Sequence, residues 1–352
     1  MLMISDMMDA EVTIGYKTTA SAVLIARDRI IEEQLLPGID FNFTLLLDQC
    51  SEDTAAVFTV RLYRDYNVDA VLGPTCSYPA VASAIVGSYY NIPVLAWGRC
   101  STSTLEDRSR FPTAAVFSTT SFSLGVGVSA VALYFKWHEF AFLYTADGGT
   151  SKCDVMKSEL QDAVTKTKGL TISTVVEIKN MTSSNIIRSL QEISTRARII
   201  VVCIADGFGL KRQFILAAKD GGYLSSEYVY IFPDIKSRGF CRFLLPLEIT
   251  HAVLPLRPTS IAALPVAGGK EKFLWELEDV KDGRDEEARK AFQHAFVISD
   301  HMGTGRRDTS EFDDFSKRVI ERMEDPPFHC GAECRGAKYQ DVGSFSYSGQ
   351  MA

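Results

Sequence analysis

The sequence lacks any concentrated run of basic residues, and its formal net charge is −7. A nucleic-acid partner needs clustered Lys and Arg, so we expect none. No stretch is long and apolar enough to predict a membrane-spanning helix. The most apolar region, 240–268, is interrupted by charged residues such as Arg242 and Glu248 and by prolines such as Pro246 and Pro255, which break a spanning helix.

Catalytic motifs are also missing. The chain contains no G-x-S-x-G elbow, no GK[ST] phosphate loop and no HExxH zinc motif, and its five histidines are scattered. Residues 1–11 have neither the basic start nor the apolar core of a secretory leader. We therefore expect no catalytic residues, no cofactor and no metal, and a binding domain rather than an enzyme.

The pattern that is present alternates short apolar runs with longer amphipathic ones. This alternation predicts an α/β chain built from βαβ units with parallel sheets. About ten strands are too many for one comfortable sheet, so two doubly wound lobes are the natural arrangement, with a polar crossing at 118–121. Residues 241–268 lose this regularity and are expected to form an irregular insertion.

Four of the eight cysteines stand at strand ends or neighbouring connections, two in each half of the chain: Cys50, Cys76, Cys153 and Cys203. They indicate two disulfides, one in each half, and hence an oxidising compartment. The competing interpretation is a set of buried free thiols in a cytosolic protein.

Two glycosylation sequons, at Asn42 and Asn180, add weak support for secretion because such triplets also arise by chance.

The other cysteines have less certain roles. Cys330 and Cys334 favour a small disulfide loop, whereas a zinc site with His329 would lack a fourth nearby ligand. Cys100 and Cys241 have no obvious partner; they could pair with each other, stay free or bridge two chains.

One motif points to a different class of protein. Gly125 and Gly127 fit the G-x-G-x-x-A dinucleotide fingerprint, and Asp147 lies 20 residues after Gly127. Ser121 is the better helix cap, however, so the glycines should fall inside the helix and allow close helix packing. An NAD-dependent enzyme remains the second alternative.

Polar or aromatic residues at strand ends are the candidate ligand contacts: Thr75, Trp97, Ser118, Thr119 and Tyr144. In doubly wound sheets, ligands approach the carboxyl ends of the strands. Hydroxyls and aromatic rings that face a cleft there suit a small polar ligand or a peptide. The alternative is that the Ser and Thr residues merely cap helices.

Several segments together resemble a known family: Gly73–Pro79, Tyr89–Gly98, Phe111–Thr113, Phe117–Thr119 and Asp325–Phe328. They resemble the extracellular region of receptor-type guanylate cyclases, most closely the nematode branch, with natriuretic peptide receptors (the ANF receptor family) as more distant relatives.

This resemblance implies a type I periplasmic-binding-protein fold, with lobe 1 at 1–118 plus 249–352 and lobe 2 at 119–248. It also implies the bridges Cys50–Cys76 and Cys153–Cys203. Family members are single-pass receptors at the plasma membrane that dimerise through lobe 1 helices. They sense a small-molecule or peptide ligand outside the cell and make cyclic GMP inside.

The same resemblance predicts that this chain is truncated at both ends and lacks the membrane and catalytic regions. Phe43 stands roughly where natriuretic receptors use a serine to bind chloride, so chloride binding is not predicted. A class C G-protein-coupled receptor domain or a soluble amino-acid-binding protein would share the fold and stays the first alternative.

Overall fold

The computed structural model describes residues 1–3, 15–145, 151–205, 209–234, 264–265, 271–272, 275, 282–299, 309–332 and 334. The chain divides into two compact units. The first comprises Met1–Ser118 and Met302–Ala352, and the second comprises Thr119–His301.

Helices and strands alternate through the first unit. They are β1 (Leu2–Met3), α1 (Tyr16–Thr19), α2 (Ala22–Glu32), β2 (Leu46–Leu47), α3 (Glu52–Tyr66), β3 (Val71–Leu72), α4 (Ser77–Tyr90), β4 (Val94–Ala96), a 3-10 turn (Ser103–Glu106) and β5 (Ala114–Val116).

The second unit continues the same alternation. Its elements are α5 (Ser121–Tyr134), β6 (Glu139–Thr145), α6 (Lys152–Thr165), β7 (Thr171–Ile178), α7 (Ser183–Ser194), β8 (Ile199–Cys203), α8 (Leu210–Asp220), β9 (Val229–Pro233), β10 (Leu264–Pro265), β11 (Glu271–Lys272), α9 (Asp285–Ala291), a 3-10 turn (Phe292–His294) and β12 (Ala295–Ile298). The chain then returns to the first unit through α10 (Thr309–Arg322).

The sheet of the second unit has the order β7-β6-β8-β9-β12, and every pairing in it is parallel. In chain order this is the 2-1-3-4-5 arrangement of a doubly wound sheet. Helices cover both faces of such a sheet, so its strands are apolar on both sides. Phe140 and Phe142 of β6 are accordingly fully buried, and so is Val201 of β8.

The first unit contains two parallel ladders, β1-β2 and β3-β4-β5. Gly73 follows β3 and lies against the backbone of Leu2 in β1: a Cβ at Gly73 would stand 2.1 Å from the carbonyl oxygen of Leu2. The helix α10 packs on α2, where the hydroxyl of Ser21 donates to the carbonyl of Val319. Apart from the short antiparallel pair β10-β11, all strand pairings among the described residues are parallel. The predicted two-lobe α/β fold is confirmed.

Helix boundaries follow local side-chain chemistry. Ser51, Thr120 and Thr182 each cap a helix, because their hydroxyls accept an N–H of the first turn. Asn67 and Asn91 end α3 and α4 in the left-handed conformation that Asn tolerates.

The glycine motif of α5 lies inside the helix, and the cap is Thr120 rather than Ser121. A Cβ at Gly125 would lie 3.0 Å from Cβ of Ala163 in α6, so this glycine permits close packing of the two helices. A dinucleotide site needs its glycines at the strand-to-helix turn. The NAD interpretation therefore lacks the glycine-rich turn that it requires. Asp147, the other residue of that motif, lies outside the described residues.

The expected return of the chain to lobe 1 needs correction. Helix α9 ends at Ala291, and Ala295–Ile298 forms a strand, because Phe, Val and Ile there pair in parallel with β9. This pairing places 282–299 in the second unit, whereas the return to lobe 1 was expected at 249. Of the expected insertion at 241–268, only Leu264–Pro265 lies within the described residues.

The contact between Gly73 and Leu2 yields a matched pair of substitutions. Gly73→Ala should destabilise the chain by at least about 3 kcal/mol, since the new Cβ collides with backbone as well as straining a φ of +98°. Gly38→Ala has a similar φ of +80° but open space around it, so it should cost only about 1–2 kcal/mol. Urea unfolding of both variants measures the difference; equal losses would contradict the packing of β1 against β3.

Candidate functional site

The five candidate ligand contacts divide between the two units. Thr75, Trp97 and Ser118 follow β3, β4 and β5 of the first unit, while Thr119 and Tyr144 belong to the second. Their surroundings differ sharply, and only some of them have surface that a ligand could contact.

Thr75 and Trp97 are buried, with 0% and 3% of their surface exposed. The hydroxyl of Thr75 and the indole N–H of Trp97 form no hydrogen bond within the described part of the chain. The expectation that these two side chains face an open cleft therefore does not match their burial. Both polar atoms lie at the carboxyl ends of neighbouring parallel strands.

Asp48 is a third buried polar residue of this region, and sequence reasoning did not single it out. It follows β2 and is fully buried. Its Oδ1 accepts the N–H of Cys50 at 2.9 Å, and its Oδ2 has no partner among the described residues. Burial raises the pKa of Asp48 to about 6, although the hydrogen bond from Cys50 opposes the shift.

The disulfide Cys50–Cys76 connects these residues. It joins the segment after β2, which carries Asp48, to the segment after β3, which carries Thr75. Trp97 packs in the same apolar cluster as both cysteines. The carboxyl ends of the strands in the first unit thus hold a buried carboxylate, a hydroxyl and an indole N–H near one disulfide. Atoms of this kind are commonly satisfied by ordered water.

Ser118 and Thr119 are the candidates that remain half-exposed. The hydroxyl of Ser118 donates to the carbonyl of Gly98 at 3.1 Å. Neither residue caps a helix, since Thr120 does so for α5.

Tyr144 is almost fully buried on β6, and its hydroxyl is engaged on both sides. It donates to Oε2 of Glu177 at 3.3 Å and accepts from Nζ of Lys157 at 3.2 Å. The Lys157 ammonium also lies 5.0 Å from the centre of the Tyr144 ring. The hydrogen bond to Tyr144 raises the pKa of Lys157.

An ionic cluster at the carboxyl edge of the second sheet was also missed. Asp234 follows β9 and pairs with Lys152 at 2.7 Å and with Lys211, two lysines at the starts of α6 and α8. Burial would raise the pKa of Asp234, but the two ammonium groups outweigh it and hold the pKa well below its usual range. The sequence separates these residues by up to 82 positions, so only the sheet order brings them together.

Within the residues that the structure describes, disulfides join Cys50 to Cys76, Cys153 to Cys203 and Cys330 to Cys334. The first two are the pairs that the family resemblance implies. The third occupies the sulfurs of Cys330 and Cys334, which argues against zinc at this loop. Among the described residues, no group of three or more potential ligands is arranged to hold a metal ion.

The other residues singled out in the sequence lie at the surface, in the core or outside the described residues. Asn42 and Asn180 are both exposed, as glycan attachment requires. Phe43 stacks on Phe41 at 6.2 Å. Cys100 is buried, and Cys241 lies outside the described residues.

The family described as the receptor family ligand binding region matches residues 18–333. The chain belongs to this receptor family. It is 36% identical over 346 residues to receptor-type guanylate cyclase gcy-7 of Caenorhabditis elegans, which covers 98% of this chain and 29% of that protein.

Two further relatives from Caenorhabditis elegans match over a similar span. Receptor-type guanylate cyclase gcy-6 is 36% identical over 340 residues, and receptor-type guanylate cyclase gcy-14 is 35% identical over 341 residues; each covers 96% of this chain. The chain thus spans less than a third of the length of these relatives. The resemblance drawn from segments such as Gly73–Pro79 and Tyr89–Gly98 is confirmed. In the described part of the chain, every helix is too short or too polar to cross a bilayer.

Removing the disulfides one pair at a time should rank them by loop length. Replacing Cys153 and Cys203 with alanine opens a separation of 50 residues and should cost about 4 kcal/mol of unfolding free energy. The Cys50–Cys76 pair, 26 apart, should cost about 3.5 kcal/mol, and the Cys330–Cys334 pair, only 4 apart, about 2 kcal/mol. Denaturant unfolding checks the order; an equal or greater loss for the shortest loop would contradict it.

The raised pKa of Asp48 predicts that Asp48→Asn increases the free energy of unfolding in a pH-dependent way. Below about pH 4, folded and unfolded states both hold the proton, so wild type and variant should change little relative to each other. As the pH rises from about 4 to about 6, the unfolded chain releases this proton while the folded state still holds it, so wild type should steadily lose stability relative to the variant. The loss should reach about 3 kcal/mol near pH 6 and stay constant above it.

Thermal unfolding of Asp48→Asn between pH 4 and pH 7 measures this difference. Asp69→Asn, at an exposed position of the same unit, is the matched control and should show no such trend. A stability gap that stays constant across the range would argue against a buried, proton-binding carboxylate.

Proposed function

We propose that this chain is the extracellular ligand-binding (sensor) region of a single-pass receptor guanylate cyclase. In the whole protein, ligand occupancy outside the cell would control synthesis of cyclic GMP in the cytoplasm. The chain itself would bind and transmit rather than catalyse. The observation that carries this proposal is the family match over 18–333, together with about 36% identity to proteins named receptor-type guanylate cyclases.

The cysteine chemistry supports an extracellular location. Disulfides persist in oxidising compartments and are rare in the cytosol. A large hydrophobic fraction, 46%, would allow this chain to build its core without such bonds. The disulfides are therefore better explained by an oxidising compartment than by a need to stabilise the core. The exposed sequon residues Asn42 and Asn180 are compatible with the same location.

The ligand is a small molecule or a peptide, and Ser118 and Thr119 are its best candidate contacts. Both are half-exposed polar residues. Thr75 and Trp97 are buried, so they are not proposed as direct contacts. Tyr144 is almost fully buried, and its hydroxyl is already hydrogen-bonded to Glu177 and Lys157.

Sequencing the gene on both sides of this reading frame tests the assignment directly. We expect an export sequence before it, and after it one membrane span followed by kinase-like and cyclase regions. Seven spans after the domain would indicate a class C G-protein-coupled receptor instead. A gene that ends near Ala352 without a span would overturn the receptor proposal.

A homodimer is the second part of the proposal. One face of α4 is apolar yet exposed, with Tyr78, Ile85 and Tyr89 at helical spacing and exposed fractions of 43%, 49% and 82%. The adjacent helix α3 adds Tyr63, which stacks on Tyr90 at 4.4 Å. Exposed tyrosines on rigid helices are favoured anchors of protein interfaces. A second copy of the chain is the partner that the family resemblance implies.

Tyr89→Arg should weaken this dimer at least about tenfold, because it places a charge at the most exposed aromatic position of the face. Tyr134→Arg, at a 60% exposed tyrosine on α5 of the second unit, is the matched control and should leave association unchanged. Sedimentation equilibrium measures both variants. Equal weakening, or a wild-type chain that stays monomeric at high micromolar concentration, would contradict dimerisation through α3 and α4.

A further inference from the structure

A cavity of about 390 Å³ opens at the amino-terminal edge of the second sheet. It lies where β6 and β8 begin, which is the opposite end of these strands from Tyr144. The lining residues are Trp137, His138, Glu139, Ser194, Thr195, Arg196, Ala197, Arg198 and Ile199. Its volume falls in the range of small-ligand sites, yet no part of the receptor proposal uses it.

Some charged groups that line this cavity already form hydrogen bonds or ion pairs, and others do not. The Arg198 guanidinium donates to the carbonyls of Ser194 and Ala197 at the end of α7 and lies 3.5 Å from Glu227. Glu139 and Arg196 are different: within the described part of the chain, neither side chain has a hydrogen bond or an ion pair. The cavity therefore presents one uncommitted carboxylate and one uncommitted guanidinium.

The remaining surface is mixed. Trp137, Ala197 and Ile199 supply apolar lining, and Trp137 is held in place by stacking on Phe135 at 4.9 Å. A space of about 390 Å³ suits a small ligand.

We propose that this cavity is an accessory binding site for a small zwitterion with an apolar side group, such as a free α-amino acid. Glu139 receives the ammonium group, Arg196 binds the carboxylate, and Trp137, Ala197 and Ile199 contact the side group. Arg–carboxylate pairing provides geometric specificity. Because Glu139 and Arg196 are exposed, solvent screens both contacts and the affinity should be millimolar. The inference stands apart from the receptor proposal and uses a different edge of the sheet.

Calorimetric titration of the purified chain with L-leucine tests this site. Saturable binding is expected for leucine, with at least about tenfold weaker binding of L-leucinamide, which lacks the carboxylate, and of N-acetyl-L-leucine, which lacks the ammonium group. Glu139→Gln and Arg196→Gln should each weaken leucine binding by about tenfold or more. Glu192→Gln and Arg188→Gln change exposed charges on α7 outside the cavity lining and are the matched controls.

The outcomes separate this inference from the receptor proposal. Leucine binding that survives both cavity substitutions lies elsewhere on the chain, which overturns this site and leaves the receptor assignment intact. Equal binding of N-acetyl-L-leucine would overturn the zwitterion, and so would the absence of any saturable heat up to about 50 mM leucine. Because all four substituted side chains are exposed, circular dichroism should show unchanged folding in every variant.

Discussion

Parallel pairing of buried strands is the constraint on which the rest of this structure depends. A parallel ladder needs a crossover between successive strands, and helices supply it by packing on both faces of the sheet. The strand interiors must then be apolar throughout, as the fully buried residues Phe140–Leu143 illustrate. Polar side chains are consequently displaced to the strand ends, and both candidate regions of the receptor proposal lie there.

The buried carboxylates at the carboxyl ends of the strands differ between the two units. In the second unit, Asp234 is buried but paired with two lysines, so its charge is compensated and its pKa falls. In the first unit, Asp48 is buried without a counter-charge among the described residues, so its pKa rises. A compensated carboxylate stabilises the ends of the helices that it joins. An uncompensated one makes the region around Cys50–Cys76 sensitive to protonation.

Much of the fold could be predicted from local pattern. Strand and helix order, helix caps such as Ser51 and the intrahelical position of Gly125 follow from periodicity and capping chemistry, which act over a few residues. The strand Ala295–Ile298 could not, because four residues next to a charged helix resemble its continuation until the partner strand β9 is present. Family resemblance supplied what local pattern lacked, namely the pairing of cysteines across 26 and 50 residues.

By itself, the sequence determined the fold class, the family and the chemical types available at the strand ends, because these depend on residue order and short-range periodicity. Only the tertiary structure decided which of those residues a ligand could reach. Thr75 and Ser118 carry the same hydroxyl group and each follows a strand, yet one is fully buried and the other half-exposed. Burial is a property of packing between segments distant in the chain. The same physical reason explains why Asp48, Asp234 and the cavity at Glu139 emerge only from the folded molecule.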